Sequence, residues 1–217
     1  MPLLAGAVTF SRLRAKLPKG AASDPKRWLL GGLRRHAFQP LVPNGEEDRA
    51  TGFVELEDSE ATGFPPGAVF QGEHALFAWR ADAVRVPPAQ VKAEMGRWLA
   101  AFDAEHGRPP AKREKSEARG AIRHALRSRT PPSTKVHDVS LALKTREILI
   151  WAASRKAIEE VAGALQEALG IELEGHVPAT IAAWGGIDPD GFGPTAELVG
   201  LEVSASAAAQ EATDDAA

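Results

Sequence analysis

The chain contains no cysteine, which excludes disulfides, thiolate metal centres and cysteine nucleophiles. It has no apolar run near the ~20 residues a membrane-spanning helix needs. At the N-terminus, MPLLAGAVTFSRLRAK places its apolar residues before its basic ones, the reverse of a secretory signal. A cytoplasmic protein with no membrane partner is expected. Catalytic and metal motifs are absent too. His36, His74, His106, His124, His137 and His176 include no pair four apart and no HExxH, so no zinc site is expected. His137-Asp138 has no accompanying G-x-S-x-G elbow and reads as a strand-edge histidine. Asp188-Pro189-Asp190-Gly191 starts like a calcium loop, but position twelve is Val199 where a glutamate is needed. Asp82, Glu94, Asp103 and Glu105 lack the P-D…E-x-K order of a nuclease. No glycine loop that could cradle a phosphate follows a strand. No enzymatic activity, cofactor or metal is expected.

What is present is one sharp segregation of charge. The protein has 217 residues and a net charge of −3. Arg108 to Lys135 alone holds nine Lys/Arg against Glu114 and Glu117, a local charge of +7 that leaves −10 for the rest. Charge so divided points to a surface aimed at a polyanion. With 44% hydrophobic and 25% charged residues, the chain can bury an ordinary core.

Periodicity supplies the elements. Val8, Phe10 and Leu13 read as a first strand. Ser23-Asp24-Pro25 starts a helix through PKRWLLGGLRRHAF, weakened by Gly31-Gly32 at ~1 kcal/mol per glycine. Gly52–Asp58 is a short strand, and Ala68–Pro87 a hairpin turning near Gly72-Glu73. After Pro87-Pro88, a helix carries Val91, Met95, Trp98, Leu99 and Phe102 on one face and ends at Gly107. The basic segment forms a second helix from about Ala111 to Ser128. Val136–Leu143 and Ile148–Ala152 form a hairpin. Ser154 opens a helix buried through Ile158, Val161, Leu165 and Leu169 and stopped by Gly170. IELEGHVP is a last strand, and from Thr180 the pattern fails. Trp28, Trp79, Trp98 and Trp151 read as core residues, Trp184 as a surface or dimer contact. The order indicates an α+β fold with a mainly antiparallel sheet packed with helices, in a domain over 1–180. A Gly/Ala/Pro-rich acidic tail over 181–217 is expected to be weakly structured.

On the basic helix, at ~100° per residue, Lys112, Lys115, Arg119, Arg123 and Arg127 fall within an arc of about 120°. Ala118, Ala121, Ile122, Ala125 and Leu126 fill an adjacent arc. The helix can therefore dock by one edge and present a cationic ridge, with Glu114 and Glu117 lying off it. Arginine forks and lysines at this spacing suit phosphate oxygens, each contact releasing a counterion. No helix-turn-helix, zinc finger or Asn/Gln-rich recognition helix reads bases. The competing reading is a solvated helix whose arginines pair with Glu94, Asp103 or Glu105 on the preceding helix.

Several stretches resemble the RdgC family of recombination-associated nucleoid proteins. LRRHAFQP followed by GFVEL is similar to that family's AF-P…GWV pattern. RADAVRVPPAQVK resembles its hairpin exit, and KREKSEARGAIRHALRSR its lysine-rich helix, the most specific match. REILIWAASRKAIEEVAGAL and HVPATIAAWGG resemble later segments. Members are longer at the C-terminus than this chain. The resemblance implies a homodimer that encircles duplex DNA without sequence preference and limits access of the RecA recombinase. It implies DNA contacts by the basic helix at Lys112, Arg113, Lys115, Arg119 and Arg123. It aligns Arg80 and Lys92 with an arginine and a lysine of the family pattern, where an ion pair with Asp82 or Glu94 is the competing role. With Arg127, Arg129 and Lys135, which flank the helix exit, these give the candidate DNA-binding set of Lys112, Arg113, Lys115, Arg119, Arg123, Arg127, Arg129 and Lys135. The expected function is obstruction of recombinase loading on double-stranded DNA at the nucleoid. The alternative is a protein-interaction module whose basic helix docks an acidic partner or the tail (Glu202, Glu211, Asp214, Asp215).

Overall fold

A computed structural model describes residues 9–188, apart from positions 19, 22, 43, 44 and 46. Val8 and the tail from residue 189 lie outside the described residues. The chain divides into two compact units, Met1–Leu173 and Glu174–Ala217.

The described elements run β1 (Ser11–Lys16), α1 (Pro25–Arg35), β2 (Arg49–Val54), α2 (Pro66–Val69), β3 (Phe70–Gln71), β4 (His74–Ala83), α3 (Pro88–His106), α4 (Lys112–Arg127), β5 (Ser133–Ala142), β6 (Glu147–Ile150), α5 (Arg155–Leu169), β7 (Glu172–Gly175) and α6 (Pro178–Trp184). The strands form one sheet in the order β2-β4-β5-β6-β1-β7, with β3 paired to β4. The β2/β4, β3/β4, β4/β5, β5/β6 and β1/β6 pairs are antiparallel, as the α+β reading requires. His137 lies opposite Trp79 on β5, a central strand, which corrects its placement at a strand edge.

Alternation along the strands divides the sheet into two faces. On one face Phe53, Phe77, Val139, Leu141, Ile148 and Ile150 meet Leu29 and Leu33 of α1 and Val161 and Leu165 of α5, all within 2% of full burial. Phe53 anchors this core edge-on to Phe77 at 5.7 Å and to Trp79 at 4.8 Å. α1 and α5 approach closely because Gly32 has no side chain. A Cβ there would lie 2.4 Å from Leu169 Cδ2 and 2.9 Å from the Ala168 carbonyl. The glycine pair that weakens α1 as an isolated helix is what lets it pack.

The opposite face carries Phe38, Val54 and Ala78, with a buried ion pair beside them. The Arg80 guanidinium donates to both Asp82 oxygens at 3.0 and 2.8 Å and to the Ser59 carbonyl at 2.9 Å. It also pairs with Glu60 and lies over the Phe38 ring, 4.4 Å from its centroid. Burial alone would push the Asp82 carboxyl up, but the hydrogen bonds from Arg80 and Thr134 bring it below the usual range. Arg80 is a structural residue here, as the ion-pair reading has it.

α3 and α4 are inserted between β4 and β5, which stay paired to their ends at Ala83 and Ser133. The two helices pack on one another and leave the sheet together as an arm. No residue of α3 is buried: Trp98 and Phe102, in ring contact at 5.1 Å, stay half-exposed. This corrects Trp98 as a core residue, and Trp151 is likewise half-buried; Trp28, half-buried, packs against the core, and Trp79 is buried.

In the second unit, α6 forms where the sequence pattern fails. Thr180 Oγ1 accepts from the Val177 N–H at 3.2 Å, and Trp184 Nε1 donates to Glu174 at 2.8 Å.

Candidate nucleic-acid interface

The basic helix starts after Arg108-Pro109-Pro110, where the two prolines prevent continuation from α3. Gly107 closes α3 in the left-handed conformation, φ 61°, which glycine adopts without strain. Glu114 holds the start of α4. Its carboxylate accepts from the Ala111 N–H at 2.6 Å and takes the Arg108 guanidinium bidentately at 2.8 and 3.0 Å. The Arg108 hydrogen bond, then the Ala111 N–H, hold its carboxyl at about 2. A negative group here also complements the helix N-terminus.

Local pairs then decide which cations face solvent uncompensated. Glu117 takes Arg113 at 2.8 Å, off the ridge. Glu94 pairs with Arg97, so the acids that meet the basic segment are Glu114, Glu117 and Asp48 rather than those of the preceding helix. Asp48, just before β2, accepts from Arg127 Nε at 2.7 Å and lies 3.6 Å from Arg123. Arg127 also donates to the Glu47 carbonyl. Only 9% of the Arg127 side chain is exposed, against 69% for Arg123. The ridge thus changes role along its length: Arg127 latches the arm to the sheet end, and Arg123 is shared.

Lys112, Lys115 and Arg119 are exposed, and among the described residues none has an acidic partner within 4 Å. Arg129 and Lys135 share that state, on the helix exit and on β5. Ile122, Leu126 and Ala118 line the half-buried side of α4. From Lys112 to Arg123 the ridge is roughly 16 Å long at 1.5 Å per residue, about the axial rise of five phosphates on one DNA strand. Sequence reasoning identifies Lys112, Lys115, Arg119 and Arg123 as neighbours because helical spacing alone brings them together. It misses Asp48, whose only signal is an acid before a strand. Among the described residues no three His, Asp or Glu side chains are grouped to hold a metal ion.

These features define an α+β protein whose sheet carries a cationic helical arm. Residues 21–182 match the family described as "Putative exonuclease, RdgC", and the chain belongs to that family. Membership ties it to DNA and recombination. No curated protein matches the chain.

Proposed function

We propose that this protein binds duplex DNA without sequence preference, as a homodimer at the nucleoid, and limits RecA recombinase access by occupying the DNA. The observation that carries the reading is the acid-free ridge of Lys112, Lys115 and Arg119, displayed on a helix capped at its start by Glu114 and held at its end by the Arg127–Asp48 pair. Arg123, Arg129 and Lys135 extend the cationic surface, Arg113 contributes while shared with Glu117, and Arg127 positions the helix. Point charges and arginine forks on a convex helix meet phosphates and leave base edges unread, so binding is independent of sequence. On this reading the protein acts by occupancy and not by cutting. Lys115→Glu/Arg119→Glu should abolish retention of a random duplex and restore recombinase loading on DNA exposed to the protein beforehand. The family description makes a nuclease the competing reading. DNA incubated with the protein and magnesium or manganese should stay intact; cleavage lost on substitution of an acidic residue would replace occupancy by catalysis.

A further inference from the structure

A second cationic surface lies on α1. Lys26, Arg27, Arg34 and Arg35 border an open groove of about 860 Å³ that also exposes parts of Trp28 and Phe70. Among the described residues none of these four cations has a carboxylate within 4 Å. Backbone carbonyls hold two of them. Arg34 donates to Gly63 and Phe64 at 3.1 and 3.0 Å, and Arg35 to Ala168 at 3.4 Å. Lys26 Nζ sits 5.2 Å from the centroid of the Phe70 ring. The acid in the lining, Asp24, is engaged as the helix cap, accepting from the Arg27 N–H at 3.0 Å. Between Arg27 and Arg35, on the same helical stripe, stands Gly31. Only Arg35 Nη1 comes within 4 Å of where its Cβ would be, so a ligand can approach the bare backbone there.

The groove is remote from the arm. Phe70 pairs with Ala75 at the start of β4, whereas the arm leaves from Ala83 at its end, roughly 26 Å away at 3.3 Å per residue. The two surfaces also differ in kind. The α4 ridge is convex and its cations have no aromatic among them, which suits a duplex backbone. The α1 groove is concave and alternates cations with two aromatic rings, the combination that grips a strand by its phosphates and stacks its unpaired bases.

We infer that the α1 groove is a second nucleic-acid site, one that takes a single strand while the arm takes duplex. The inference deepens the DNA-binding reading, yet the two fail separately because they rest on different residues. The test is fluorescence anisotropy of a labelled oligothymidine of roughly ten nucleotides and of a random duplex. Lys26→Glu/Arg27→Glu, both exposed positions, should weaken single-strand binding about tenfold or more and leave duplex binding within about twofold. The neutral pair Lys26→Gln/Arg27→Gln should cut the single-strand salt slope by about 1.4, which covers the case in which charge reversal disturbs the fold. Lys115→Glu/Arg119→Glu should do the reverse, losing duplex and keeping the oligothymidine. Unchanged single-strand affinity in the α1 variants, or equal losses on both probes, overturns the inference. So does an abasic oligonucleotide that binds as well as oligothymidine. Displacement by polyglutamate at equal charge concentration would make the groove an acidic-peptide site instead.

Discussion

The two adjacent glycines of α1 should respond to alanine in opposite directions. Alanine is better than glycine in a helix interior by ~1 kcal/mol, and both positions share that gain. At Gly31 the added methyl would meet one arginine nitrogen at 3.5 Å, ordinary contact distance, so Gly31→Ala should stabilise the protein by about 0.5–1 kcal/mol. At Gly32 the same methyl would sit 2.4 Å from Leu169 Cδ2 and 2.9 Å from the Ala168 carbonyl. The leucine tip can rotate away, but the carbonyl belongs to α5 and cannot, so the two helices must part. Overpacking of this kind costs about 1–3 kcal/mol, leaving Gly32→Ala neutral to ~2 kcal/mol destabilised and separating the variants by roughly 1–3 kcal/mol. Urea unfolding followed by circular dichroism would measure both, the midpoint carrying the effect if the slope is unchanged. Equal stabilisation by the two alanines would refute the close α1–α5 approach on which this face of the core is built.

Three further outcomes follow from the ion pairs. Removing the Asp48 carboxylate takes the charged acceptor from the buried Arg127 guanidinium, which keeps the Glu47 carbonyl, whereas removing Arg127 leaves Asp48 half-exposed to water; Asp48→Asn should cost about 1–3 kcal/mol and Arg127→Met less, read by thermal unfolding. Glu114 titrates at about 2 against an ordinary 4.5. A lowered folded-state value contributes stability above 4.5 that is lost as pH falls toward 2, so the stability gap between wild type and Glu114→Gln should close across that window. Arg80→Met leaves the Asp82 side chain, 4% exposed, without its cation and should destabilise by ~3–5 kcal/mol, with Arg80→Met/Asp82→Leu recovering much of the loss; an additive double variant would refute the pairing.

The long elements are legible because their signals are local. The stripe of Ile158, Val161, Leu165 and Leu169 and the glycine at 170, φ 62°, mark α5 within a residue of its ends. The hairpin of β5 and β6 follows from alternation on either side of a turn. α6 and α2 escape because seven and four residues are too few for a 3.6-residue period to show. α3 teaches a different lesson. Its apolar stripe shows that one face is covered but not by what: α3 packs on α4 and buries no residue in the core. The ridge divides the same way: Lys112, Lys115 and Arg119 need only helical geometry, while the diversion of Arg127 depends on Asp48, 79 residues away. Charge spacing within one helix is readable, and tertiary ion pairing is not. The α1 stripe of Arg27, Gly31 and Arg35 was open to the same helical reasoning, but four cations on a short helix stand out less than nine in one run.

On the proposed reading the exposed ridge neutralises DNA phosphates, and a salt titration of random-duplex affinity measures how many. With Lys112, Lys115, Arg119 and Arg123 each displacing a counterion, log K should fall against log salt with a slope of about −3.6, or about two decades between 50 and 200 mM. Lys115→Gln/Arg119→Gln should reduce that slope by about 1.8 with the fold intact. A slope near zero, or one that the double variant leaves unchanged, would contradict the account.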